Sequence, residues 1–123
     1  RIVGLQQSLK WMLSAEIFDA AEAKSGGLVL EVCAPDNLLP RAYEMARQMA
    51  DNTAAISCAL TRQMLYRNSA AAHPIEAHRV ESLAVFYTSQ VDGQEGVAAF
   101  LDKRKANFTS VPSTDMPSFY PWW

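Results

Sequence analysis

The sequence predicts a mainly α chain of about six helices with one short β-strand, and three observations carry that prediction. Apolar residues recur every three to four positions in several separate segments, as one face of a helix requires. Pro, Gly, Asn and Asp cluster between those segments and mark where each helix stops. One run, residues 28–33, is made of the apolar, β-prone residues of a strand. With 50% hydrophobic residues over 123 positions, the chain carries enough apolar side chain for a core of single-domain size.

The first helix is read from Leu5, Leu9, Met12 and Leu13, which fall at helical spacing. Asp19-Ala-Ala-Glu22 offers a capping box for a short second helix, and Gly26-Gly27 releases the chain into the strand run Leu28-Val-Leu-Glu-Val-Cys33. The turn cluster Ala34-Pro35-Asp36-Asn37 precedes a third helix, in which Pro40 is tolerated because first-turn N–H groups have no intrahelical partner. Its buried stripe should be Ala42, Met45, Ala46 and Met49, with Arg41, Glu44, Arg47, Gln48 and Asp51 facing water. Asp51-Asn52-Thr53 breaks that helix, and a fourth runs over about residues 54–68 with Ile56, Leu60, Met64 and Leu65 inward. Arg62 and Arg67 near its end suit the negative pole of the helix dipole. Pro74 opens a fifth helix carrying Ile75, Val80, Leu83, Phe86 and Tyr87, and the Asp92-Gly-Gln-Glu95 box starts a sixth that should bury Val97, Phe100 and Leu101.

By character the chain divides into a helix–helix–strand segment over residues 1–33, a helical region over 34–105 and an extended aromatic tail over 106–123. The strand sets a physical problem, because its two edges expose N–H and C=O groups and no second strand is in sight. It needs a partner from a missing half or another copy; without one, it should be lost to coil. The tail holds Phe108, Phe119, Tyr120, Trp122 and Trp123 among Pro112, Pro117 and Pro121, so it should be extended. Aromatic residues at this density either fold back on the chain's own helices or dock on a neighbouring subunit.

A formal net charge of -2 gives no basic field to attract nucleic acid or an anionic membrane surface. The apolar runs fall short of the roughly 20 residues that span a bilayer, and no charged-then-apolar leader is visible, so the expected address is cytoplasmic with no membrane partner. Cys33 and Cys58 stand 25 positions apart without a C-x-x-C pattern, which argues for buried free thiols rather than a disulfide or zinc site. His73 and His78, with Pro74 between them, lack the i, i+4 geometry of a helical metal pair, so no metal site is expected. Among the acidic residues near the start, Asp19 and Glu22 are explained by capping and Glu16 has no evident partner to shift its pKa, so none is given a catalytic role.

The string IVGLQQSLKWMLSAEIFDAAEAKSGGLVLEV resembles the segment that follows the catalytic region in the enoyl-CoA hydratase/isomerase (crotonase) family. DGQEGVAAFLDKRKANF resembles that family's C-terminal helix, and both stretches lie in the family's order and at about its separation. The resemblance covers nearly the whole chain but only about half of a typical member. It implies the C-terminal helical (trimerisation) region of a crotonase-like α/β fold. The family's N-terminal half supplies a spiral of strands, a backbone N–H pair for the thioester oxygen and acidic residues that move protons. None of those motifs is found in this sequence, which opens at Arg1 already inside an amphipathic pattern. It therefore reads as a piece of a longer protein, with no catalytic residue of its own and no activity alone.

Two function classes follow. In the first, the parent enzyme adds water across the 2,3 double bond of an enoyl-CoA thioester, or isomerises it, and this segment closes the acyl-CoA pocket and builds the oligomer. The implied partners are its own N-terminal half, further copies in a trimer or hexamer, and acyl-CoA as substrate; no tightly bound cofactor is expected. In the second, the chain is a stand-alone helical self-association module. Coenzyme A carries phosphates, so its site needs a cation or N–H donors nearby. Lys103, in Phe100-Leu-Asp-Lys-Arg104, matches the family's motif whose Lys contacts the CoA nucleotide, often that of an adjacent subunit. The competing reading is that Lys103, Arg104 and Lys105 only decorate a helix C-terminus and favour its dipole. Where the family often packs an aromatic against the adenine, this chain has Ala84, with Phe86 and Tyr87 close by.

Overall fold

The computed structural model describes residues 1–121. Six α-helices follow one another: α1 (Gly4–Ser14), α2 (Ala20–Ser25), α3 (Leu38–Asn52), α4 (Ala55–Asn68), α5 (Pro74–Ser89) and α6 (Asp92–Leu101), with a 3-10 turn at Pro35–Asn37 before α3. The helices form two compact units, Arg1–Tyr43 and a second from Glu44 onward, so the division falls inside the sequence of α3.

In the first unit α1 and α2 are tied by side chains. Trp11 stacks on Phe18 with ring centroids 4.3 Å apart. Glu22 accepts from the Trp11 indole at 2.8 Å and from the Lys10 ammonium at 2.7 Å through one oxygen. Asp19 caps α2 as expected, accepting from the Glu22 N–H at 2.8 Å, but the reciprocal arm of the box is missing because the Glu22 carboxylate is spent on α1. Gly26 is required by this packing, since a Cβ there would lie 2.5 Å from the Trp11 ring. α2 then stops in a Schellman turn: the Leu28 N–H reaches the Ala23 carbonyl at 2.8 Å and the Gly27 N–H reaches that of Lys24 at 3.0 Å. Gly27 takes the left-handed position at φ +77, where a side chain is strained.

Residues 28–33 form no strand; they bend and continue as coil. This departs from the single strand expected from composition, and the reason is the one that made that strand a problem. No ladder partner exists among the described residues, and the first N–H groups of the run are drawn back to close α2. Glu31 instead pairs with Arg41 of α3, whose Nε lies 3.0 Å from each carboxylate oxygen.

The second unit packs α4, α5 and α6 beneath the tail. Ile56 and Leu60 of α4 are its fully buried large side chains, each 1% exposed, and Ala84 of α5 completes the cluster. Met64, Tyr87, Met116, Phe119 and Tyr120 close over it. The tail therefore folds back on its own helices: the Tyr87 hydroxyl donates to the Asp115 carbonyl at 2.6 Å, and Tyr87 meets Phe119 edge to face. Trp122 and Trp123 lie outside the described residues. At the helix starts, Pro74 opens α5 and the His73 Nδ1 accepts from the Ile75 N–H at 3.1 Å, which makes His73 a cap. Gly93 lets α6 approach α5, since a Cβ there would come within 2.6 Å of the Thr88 carbonyl oxygen.

Several stripes expected to be inside are not. Ala42, Ala46 and Met49 of α3, Leu65 of α4, Ile75, Leu83 and Phe86 of α5, and Val97, Phe100 and Leu101 of α6 are exposed, Phe100 by 72%. On α1 the same holds for Leu5, Leu9, Leu13 and Met12, the last 80% exposed. No described residue covers these side chains. α6 turns Asp92 and Ala99 inward instead. The two thiols are free but not buried: Cys33 is half-buried in the coil after α2, and Cys58 is exposed on α4 beside the Thr53 hydroxyl.

Candidate functional site

The site is the C-terminal end of α6 and the strap that follows it. α6 ends in the same Schellman pattern as α2: the Arg104 N–H reaches the Ala99 carbonyl at 3.0 Å and the Lys103 N–H that of Phe100 at 3.4 Å. Here the left-handed position is taken by Lys103, at φ 55. A non-glycine residue in that region costs about 1–2 kcal/mol, so this helix stops at the expense of strain that Gly27 spares α2. The Lys103 ammonium sits 4.7 Å from the centroid of the exposed Phe100 ring, a cation–π contact that offsets roughly 0.5–1 kcal/mol.

Two carboxylates of α6 hold the chain after this turn. Glu95 forks onto Arg104, Oε1 to Nη1 at 2.6 Å and Oε2 to Nη2 at 2.8 Å, and Oε1 also accepts from the Asn107 N–H at 2.7 Å. The Arg104 guanidinium first, and the Asn107 N–H second, hold the Glu95 carboxyl down at about 2. Glu95 in turn pushes the Arg104 pKa up. Asp92, only 6% exposed, accepts from the Thr109 N–H at 3.1 Å. The capping box expected at Asp92 and Glu95 is thus not made. The helix start at Val91 has no side-chain cap, and both acids instead reach forward to the strap. Phe108 lies over Gly96, where an added Cβ would meet its ring at ordinary contact distance, 3.7 Å.

Lys103 is brought to this turn, while the other residues weighed from the sequence lie apart from it in role. Ala84, at the position where an adenine-packing aromatic was sought, belongs to the core; Phe86 is exposed on α5, and Tyr87 is engaged with the tail. Asp19 and Glu22 serve α2 and α1. The His78 Nδ1 lies 3.9 Å from Glu81, an exposed pair on one turn of α5. Sequence reasoning missed the Glu95–Arg104 fork. The available signal was an acid and an arginine nine positions apart, on either side of a helix end with no glycine to stop it.

A family model for enoyl-CoA hydratase/isomerase matches residues 1–111, which include the whole of this turn. The chain belongs to that family. Its crotonase relatives include an enoyl-CoA hydratase of Alternaria alternata, 38% identical over 111 residues that make up 88% of this chain and 36% of that protein. A crotonyl-CoA hydratase of Syntrophomonas wolfei is 32% identical over 89% of this chain and 42% of its own length. Among solved structures, a probable enoyl-CoA hydratase/isomerase from Mycobacterium abscessus superposes with a TM-score of 0.78 at 27% identity, over 88% of this chain and 42% of that one. The chain therefore spans about two fifths of the length of such crotonase-family proteins. Among the described residues no helix is long and apolar enough to cross a membrane, and no group of three His, Cys, Asp or Glu residues could hold a metal ion.

Proposed function

We propose that this chain serves an enoyl-CoA hydratase, a protein that adds water across the 2,3 double bond of an enoyl-CoA thioester, as the part that covers the acyl-CoA site and joins subunits. The observation that carries this reading is the combination of a family match over residues 1–111 with a strained, cationic turn at Lys103 inside the matched stretch. Two non-glycine residues take the left-handed backbone among the described residues, Ala15 after α1 and Lys103 after α6, and Lys103 is the one that carries a cation. The phosphates of coenzyme A supply the anion such a group would meet, with the thioester as substrate and no tightly bound cofactor. The apolar faces left bare on α1, α3 and α6 support a chain that leans on further protein: a β-rich half carrying the oxyanion N–H groups and the acid and base, and neighbouring copies in a trimer or hexamer. In this reading the chain has no catalytic residue of its own.

Binding of CoA to the full-length protein tests the role of Lys103. Lys103→Ala should weaken it about tenfold, the loss of one charge-assisted contact worth roughly 1.4 kcal/mol. An unchanged dissociation constant returns Lys103 to the helix dipole. A shift of a double bond in 3-enoyl-CoA faster than hydration of crotonyl-CoA would move the assignment to an isomerase. A stand-alone self-association module is the reading that the bare apolar faces would otherwise favour. The coding sequence upstream of Arg1 separates the two, because the hydratase reading requires a glycine-rich oxyanion segment and an acidic residue encoded there.

A further inference from the structure

The turn that displays Lys103 is not what stopping a helix requires. α2 ends with the same two hydrogen bonds and a glycine at the left-handed position. At α6 that position carries a long cationic side chain, and side chains bridge the strained turn in addition to its two backbone hydrogen bonds. The groups that do so bracket Lys103. Glu95 lies on α6 before the turn, Arg104 follows Lys103 directly, and Asn107 is three residues further on; one carboxylate binds both of the latter through three short hydrogen bonds. A fork of this kind fixes the orientation of both planar groups as well as their distance.

Resting on the reading that Lys103 meets the phosphates of a CoA ester, we propose that Glu95 is a positioning residue for that site. Its fork on Arg104 locks the left-handed turn and holds the Lys103 ammonium ready for the anion. A lysine on a loose turn would lose backbone and side-chain freedom when the ligand arrives, and that loss would appear as weaker binding. A turn already locked spares most of it. Glu95 touches no substrate atom in this scheme and acts through Lys103 alone.

The test is a double-mutant cycle in the full-length protein, with CoA itself as the probe and its dissociation constant measured by titration calorimetry at one ionic strength. Glu95→Gln should weaken CoA binding by about threefold to tenfold in the natural background and leave it unchanged in the Lys103→Ala background. An acid that merely supports the fold would weaken both equally, and that result overturns the proposal. So does natural affinity in Glu95→Gln alone, which would leave the Lys103 assignment standing. No effect of Lys103→Ala by itself removes both the assignment and the inference that rests on it. Should Glu95→Gln fail to fold, Arg104→Lys keeps the charge and loses the fork, and the same pattern is expected from it across the two backgrounds.

Discussion

Helices α2 and α6 close with one hydrogen-bond pattern and two different residues at its left-handed position. In α2 the chain uses Gly27 at φ +77, and nothing but backbone geometry is at stake. In α6 it uses Lys103 at φ 55, adds a three-bond carboxylate clasp across the turn, and leaves the ammonium over an exposed ring. The contrast teaches that one helix stop can rest on backbone hydrogen bonds alone or be clasped by side chains as well; a non-glycine left-handed residue also follows α1, at Ala15, so the clasp and the cation are what set α6 apart. A glycine would suffice at both ends if stopping the helix were the sole purpose.

The largest effect is expected beside the α2 stop, where Gly26→Ala would force a Cβ to within 2.5 Å of the Trp11 ring and should cost about 1–3 kcal/mol in denaturant unfolding. Gly27→Ala, which meets no neighbour but inherits the left-handed backbone, should cost about 1–2 kcal/mol. At α6 the effect nearly cancels. Lys103→Gly removes backbone strain but loses the cation–π contact and frees the unfolded chain, so a net change within about 1 kcal/mol of zero is expected.

The clasp itself sharpens the comparison through pH. The Glu95 carboxyl is held at about 2 in the folded chain against 4.5 ordinarily. Its contribution is therefore full above pH 4.5 and falls away as the pH drops toward 2. The difference in melting temperature between the natural chain and Glu95→Gln should shrink over that window, and a difference independent of pH would show that the carboxylate charge is not what holds the turn. Glu22, whose carboxyl is lowered by Lys10 and then by Trp11, should weaken the α1–α2 tie in the same direction on acidification.

Local chemistry made much of this legible in the sequence. The bounds of α4, the Pro74 start of α5, the Asp19 cap and the glycine stop of α2 follow from spacing and capping residues that act within a turn or two. Two kinds of feature escaped. The acids at positions 92 and 95 read as a capping box because the alternative partners, Arg104, Asn107 and Thr109, come close only after the strap folds back. The stripes on α3 and α6 read as buried because periodicity reports which face is apolar and says nothing of whether a cover is present. The coil at residues 28–33 has the same origin, since a strand is a property of a pair of segments and composition describes only one. Recognition of Lys103 came from its motif; that it stands on a strained turn required the backbone.

The central claim is that Lys103 occupies a glycine's place in order to meet the phosphates of a CoA ester. The most direct measurement is the melting temperature of Lys103→Gly beside the natural full-length protein, each with and without saturating CoA. The account predicts a variant that melts close to the natural protein without ligand and gains less from CoA. A variant that gains as much from CoA as the natural protein would contradict it.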